Sequence, residues 1–275
     1  MGKVFCIDVS KCSGCYNCQF ACKDEHCTNE WLPYALKQPM IGQFWLKIEE
    51  HIQGTKPKVK MHYIPVLCNH CSDPACLKAA KDNAVYRRED GLVIIDPVKS
   101  KGQRAIADAC PYGAVYWNEE LQIPQKCTGC VHLLEEGKPP RCVDVCHTGA
   151  IRFGEESEFT EFIQGAAVRM PDTGTGPRVY YRGIPGEFIA GTVYDPAEEV
   201  VIRNARCQLR CGDDLMETHT DIFGDFWFRD LAKGCYDLTI DADGYESLVF
   251  HQLSVADGSI NLGDMPMNRR KGEDQ

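Results

Sequence analysis

Apolar and polar residues alternate most clearly in the last third of the chain. Ala205, Cys207, Leu209 and Cys211 share one face, and so do Tyr236, Leu238 and Ile240. A period of two belongs to a strand, whose successive side chains point to opposite faces. Strands are therefore predicted at Ile189–Val193, Ala205–Cys211, Phe226–Phe228, Tyr236–Ile240 and Ser247–Leu253, with turn residues between them. Short strands at this spacing predict a small antiparallel, all-β sandwich over residues 188–275. On this pattern Cys207 and Cys211 are core residues and not ligands. Cys235 has the opposite parity from Leu238 and is expected at the surface.

Residues 1–154 have a different texture. Short strands are predicted at Val4–Asp8 and Leu92–Ile95, with short helices after the cysteine loops, for example Gln19–Glu25. The aromatic and proline-rich stretch from Trp31 to Pro65 holds no cysteine. It is expected to wrap the cysteine-bearing core and exclude water. Residues 155–187 read as a connector, because Pro171-Asp172-Thr173-Gly174-Thr175-Gly176-Pro177 is a turn signal. Val179-Tyr180-Tyr181 is expected to be a strand packing back on the first domain. A chain of 275 residues fits two such domains.

The cysteines, seventeen in all, bring in the chemistry. Cys12-x2-Cys15-x2-Cys18-x3-Cys22 is a complete iron–sulfur run, and Cys127-x2-Cys130-x11-Cys142-x3-Cys146 is a second set with a stretched middle. Between them lie Cys68-x2-Cys71-x4-Cys76 and a solitary Cys110. A cubane cluster needs four soft thiolates around one core, and a C-x2-C-x2-C loop curls three of them inward. The fourth cysteine of such a run ligates the other cluster of a pair. Crossover then groups Cys12, Cys15, Cys18 and Cys146 at one cluster and Cys22, Cys127, Cys130 and Cys142 at a second. Cys68, Cys71, Cys76 and Cys110 form a third. Ala80, Ser100, Gln103 and Ile106 stand where a fourth set would be, so that site is missing as a unit. Three 4Fe–4S clusters are expected, with Ile106 helping to fill the vacant place.

Zinc is the competing ligand, since C-x2-C pairs are common in structural zinc sites. The x2-x2-x3 run favours iron, as does the proline after Cys110. A disulfide scaffold is disfavoured by the spacing and by the chain's size. No C-x3-C-x2-C run of the radical enzymes is present, and no phosphate loop, nucleophile elbow or metalloprotease motif is found. The formal charge of −10 is uneven: residues 1–154 carry nineteen basic against seventeen acidic side chains. A near-neutral shell suits anionic clusters, and with no basic stripe there is no case for nucleic acid. His26, His62, His70, His132 and His147 lie near cysteine runs without a distinctive pattern. No export signal or membrane-spanning apolar run is read, so the cytoplasm is the expected compartment, with no membrane anchor.

These residues resemble a known family. Cys12 to Cys22, Trp31-Leu32-Pro33-Tyr34-Ala35, Cys68-Asn69-His70-Cys71, Cys110-Pro111-Tyr112-Gly113-Ala114 and the set from Cys127 to Cys146 look like the iron–sulfur subunits of molybdopterin oxidoreductases of the dimethyl sulfoxide reductase family. The resemblance covers residues 1–185. It implies an α+β, ferredoxin-like domain with insertions and a role in electron transfer. The implied partner is a large catalytic subunit carrying molybdopterin guanine dinucleotide. Catalysis would belong to that partner in a heterodimer, and this chain would carry no catalytic residue. Family members usually hold four clusters, so the missing set is a departure. In the tail, Gly191-Thr192-Val193-Tyr194-Asp195, Thr220 to Phe226, Gly234-Cys235-Tyr236 and Gly244-Tyr245 resemble the transthyretin-like or carboxypeptidase-regulatory-like β module, which is usually structural or interactive.

Overall fold

A computed structural model describes residues 2–270. In chain order the elements up to residue 182 are β1 (Lys3–Asp8), α1 (Asn17–Cys27), β2 (Leu46–Thr55), β3 (Lys58–Leu67), α2 (Ala75–Lys78), β4 (Val85–Arg87), β5 (Val93–Ile95), α3 (Ala105–Asp108), β6 (Tyr116–Asn118), β7 (Ile123–Gln125), α4 (Val131–Glu135), α5 (Arg141–Asp144), β8 (Ile151–Glu155), α6 (Thr160–Ile163) and β9 (Val179–Arg182). The described residues divide into two compact units, 2–50 with 62–184, and 51–61 with 185–270.

Four consecutive apolar residues of β1 are all buried. A strand with no solvent face belongs inside a sheet, and β1 is the centre of the order β8-β1-β9. β8 pairs with it antiparallel and β9 parallel. Phe5 and Ile7 pack into the core that holds Cys18, Cys22, Cys68, Cys127 and Cys142, while Val4 and Cys6 pack with Phe162. The remaining short strands form two-stranded pairs, β4 with β5 and β6 with β7.

The Trp31–Pro65 segment does more than wrap the core. Trp45, Leu46 and Ile48 are buried among the cysteines, but β2 and β3 continue as a hairpin of ten-residue strands. Its far half, His51–Met61, counts with the second unit. Within that unit Lys58 pairs with Asp225, and Asn261 Nδ2 donates to the Thr55 and Lys56 carbonyls at 3.0 and 3.1 Å.

The second unit continues with β10 (Glu187–Asp195), β11 (Val200–Val201), β12 (Arg206–Cys211), β13 (Asp214–His219), β14 (Asp225–Leu231), β15 (Cys235–Asp241), β16 (Leu248–Ser254) and β17 (Ile260–Pro266). One sheet joins β11, β10, β14 and β17, and the other has the order β13-β12-β15-β16. Cys207 and Leu209 lie opposite Ile240 and Leu238. They share a core with Ile189, Val193, Phe226 and Phe228 of the other sheet. Cys207 is buried, Cys211 half-buried and Cys235 exposed. The pairing is not wholly antiparallel, because β17 runs parallel to β10.

A buried carboxylate closes this unit. Asp195 accepts from the Ala197 N–H (2.8 Å), Tyr245 Oη (2.9 Å) and Arg269 Nε (2.9 Å). Burial alone would raise its pKa, but these bonds outweigh burial and hold it at about 2, against an ordinary 3.8. A depressed carboxylate stabilises the fold above its ordinary pKa and loses that contribution as pH falls through the folded value. Hydrogen exchange of the β10 amides, corrected for intrinsic rate, should therefore lose protection as pH falls from about 4 to about 2. In Asp195→Asn that pH dependence should vanish, and parallel profiles in the two proteins would dismiss Asp195 as its source.

Candidate metal centres

The cysteine loops share a backbone device. In Cys12-Ser13-Gly14-Cys15 and Cys127-Thr128-Gly129-Cys130 the residue before the second cysteine is a glycine, at φ +67° and +68°. A left-handed residue turns the chain so that thiols and N–H groups face one side. A Cβ on Gly14 would sit 2.5 Å from the Tyr63 ring, and one on Gly129 2.8 Å from Leu92. The Gly129 N–H donates to Cys127 Sγ at 3.3 Å. In Cys68-Asn69-His70-Cys71 the same place is held by His70 at φ +42°. Cys18 and Cys22 lie one turn apart on α1, both buried.

The fold gathers these cysteines into groups that act on one another. Burial pushes the Cys18 thiol up to about 12, and the Cys12, Cys146 and Cys15 sulfurs add to the rise. Cys22 rises through burial and then through Cys127 and Cys130. Cys142 rises through burial and then through Cys130, Cys22 and Cys127. Burial raises Cys71 and Cys76 to about 11, with Cys68 and Cys110 acting on both. Cys68, Cys71, Cys76 and Cys110 also line one cavity of ≈ 350 Å³, part of it open to solvent. The groups also act on one another. Cys18 acts on Cys22 and Cys142, and Cys68 on Cys127 ahead of Cys130.

These donors fit iron–sulfur cores. A thiol raised this far stays protonated near neutral pH and is then no ligand. Coordination reverses this, because a bound thiol is deprotonated outright. All seventeen cysteines are free, so none is spent in a disulfide. Among the described residues no three His, Cys, Asp or Glu side chains converge as the ligands of one ion do. The thiolates of a cubane bind four different irons and stand farther apart than the ligands of a single ion.

The positions without cysteine are occupied by packing. Ile106 is fully buried with Val85, Val93, Ile95 and Val115, and Ala80 packs against the same cluster. Gln103 Nε2 donates to the Lys99 carbonyl at 2.8 Å, and its Oε1 accepts from the Lys81 N–H at 2.8 Å. Ser100 is fully buried. Apolar side chains and a bridging amide thus pack at these positions.

Several neighbours bear on the cysteines. His26 is held near 3 by burial and then by His132, and its Nε2 lies 3.9 Å from Cys130 Sγ. His132 stacks on Trp31 at 4.0 Å and bonds Glu25 at 3.1 Å. Trp31 Nε1 donates to the Glu25 carbonyl at 3.0 Å. The Trp31–Ala35 segment is thereby pinned beside the Cys130 group. His147 Nδ1 is 3.9 Å from Cys15 Sγ. Sequence reasoning missed Lys126. It is buried, and its ammonium donates to the Val93 and Cys127 carbonyls. Its charge lowers the pKa of Cys76, Cys110 and Cys127 against burial. The only signal in the sequence was its place beside Cys127.

Residues 59–156 match the family model of the 4Fe-4S dicluster domain, and residues 189–267 match that of the carboxypeptidase regulatory-like domain. The pyrogallol hydroxytransferase small subunit of Pelobacter acidigallici is 38% identical over 276 residues, covering 94% of this chain and 96% of the relative. This protein belongs to the iron–sulfur subunits of the molybdopterin oxidoreductases. A tetrathionate reductase subunit of Salmonella typhimurium is 32% identical, covering 66% of this chain and 73% of its own length. A subunit of the anaerobic dimethyl sulfoxide reductase of Escherichia coli is 38% identical, covering 56% and 74%. The protein is an electron-transfer subunit with 4Fe–4S clusters. Among its described residues no helix is long and apolar enough to cross a membrane.

Proposed function

We propose that this subunit holds three 4Fe–4S clusters and passes electrons to or from a large partner bearing molybdopterin guanine dinucleotide. The ligand sets are Cys12, Cys15, Cys18 and Cys146; Cys22, Cys127, Cys130 and Cys142; and Cys68, Cys71, Cys76 and Cys110. One observation carries the count. Four cysteines surround a single cavity, while all four positions of the adjacent set are replaced and packed. Substrate chemistry belongs to the partner. This chain positions the clusters and tunes their potentials through burial and hydrogen bonds.

The finer reading is hydroxyl transfer between polyhydroxybenzenes, as between pyrogallol and phloroglucinol. Its support is the match to the Pelobacter relative along nearly the whole chain, β unit included. The tetrathionate and dimethyl sulfoxide reductase relatives cover less of the chain. They favour the second reading, an electron-transfer subunit of another molybdenum reductase or dehydrogenase. Hydroxyl transfer has no net electron gain, so the clusters would poise the molybdenum centre and not drain it.

Metal analysis of the anaerobically purified complex tests the count. About twelve irons per chain are expected, with one molybdenum on a large co-purifying subunit. About eight or about sixteen irons would overturn the three-cluster assignment, and zinc in place of iron would overturn the electron-transfer reading. Turnover of pyrogallol by that complex decides between the two molybdenum readings.

A further inference from the structure

His70 holds the left-handed position at which the other two loops have glycine. Histidine tolerates that region better than most residues, yet glycine would serve the turn without strain. A strained residue that persists calls for a functional account. The ring is buried and stacked on Phe5, with centroids 6.3 Å apart. The Val93 backbone N–H donates to Nδ1 at 3.1 Å. A backbone N–H can only donate, so Nδ1 is the acceptor and the neutral ring carries its proton on Nε2. That nitrogen is buried and has no partner among the described residues. Buried donors without acceptors are rare and costly. His70 lies between Cys68 and Cys71 in sequence and lines the cavity they share with Cys76 and Cys110.

We infer that His70 donates its Nε2 proton to a sulfur of the cluster held by Cys68, Cys71, Cys76 and Cys110, raising the reduction potential of that cluster alone. The inference rests on the cluster assignment proposed above. Reduction adds negative charge to the core, and a donor on sulfur stabilises the more negative state more. With Nδ1 accepting from Val93, Nε2 is the one ring nitrogen left to donate. The effect is therefore that of one oriented N–H. Gly14 and Gly129 offer no side-chain donor at the matching places, so this contribution belongs to the third loop.

The test is an anaerobic redox titration of the assembled complex, with each cluster followed by electron paramagnetic resonance. In His70→Asn the shorter side chain keeps an acceptor for Val93 and suits the left-handed backbone, but puts no donor where Nε2 lies. The third cluster should become harder to reduce by about tenfold, ~59 mV for one electron, with the others unmoved. His70→Gln reaches farther with its amide and should restore part of the shift. A purely structural histidine predicts the reverse order, with Asn silent and Gln harmful, and that result would overturn the inference. So would an equal shift in all three clusters. Should both variants shed the third cluster, the reduced wild-type complex is read in heavy water by electron–nuclear double resonance. An exchangeable proton coupled to that cluster supports the bond, and its absence refutes it. If wild type lacks a third signal and its four irons, the cluster assignment itself has failed, which is a distinct result.

Discussion

In a Cys22→Ala variant the second cluster's signal is lost and the first cluster's survives. Cys142→Ala loses the same signal as Cys22→Ala, whereas Cys18→Ala loses the first. Iron falls from about twelve to about eight per chain in each case. The physical reason lies in α1. Cys18 and Cys22 sit one turn apart, yet different sulfurs act on them most: Cys12, Cys146 and Cys15 on Cys18, and Cys127 and Cys130, ahead of Cys18 itself, on Cys22. A helix sets residues four apart one turn above the other on the same face. It can stand between two cores and serve each from one turn. Resonance spectra of the three variants decide the matter. If Cys18→Ala and Cys22→Ala remove the same signal, the crossover is wrong. Cys68→Ala supplies the independent control, since it should disturb the third cluster and leave the other two.

Ile106→Ala carries the second large effect. A fully buried isoleucine truncated to alanine costs about 2–5 kcal/mol, because lost burial adds to the cavity left behind. The cavity here opens against Cys76 on α2 and Cys110 just after α3, which pack against the same small cluster. The expected outcome is a lower unfolding temperature together with faster loss of the third cluster to an iron chelator, the other two clusters keeping their wild-type rates. Ile106→Val, at about 0.5–1.5 kcal/mol, should fall between. Equal chelation rates for all three clusters would mean that Ile106 supports the subunit generally and has no special tie to Cys76 and Cys110.

The iron–sulfur character of the cysteine runs and the β unit were legible in the sequence for the same reason: both are written in short-range spacing. Three thiols within seven residues suit a cluster loop, and alternation through Cys207, Leu209, Leu238 and Ile240 marks a strand face. The hairpin of β2 and β3 was not legible. Leu46 and Ile48 begin an alternation, but Glu49, Glu50 and His51 follow and erase it, because the far half belongs with a different unit. β13 was missed because most of it is exposed at a sheet edge, so burial leaves no period in it. β17 was missed because its partner, β10, lies far back in the chain and pairs with it parallel. His70 was visible as a residue between two cysteines, but its tautomer depends on the N–H of Val93, which spacing within the loop cannot reveal. Lys126 was hidden likewise, since one lysine beside a cysteine does not show that both carbonyls it bonds are buried.

The crossover proposed for α1 would also set a timetable. On the proposed ligand sets, the first cysteines to leave the ribosome are not the first to be completed. The third set is whole once Cys110 has been made, and the second needs Cys142. The set that begins with Cys12 waits for Cys146. A nascent chain would thus carry its earliest thiols open through about half of synthesis, exposed to oxygen and to stray metal, while a later segment is already sealed. Because binding a metal core is also folding free energy, the two clusters that share α1 would then close almost together, in one late step that locks the amino-terminal strand, the helix and the Cys142–Cys146 turn at once.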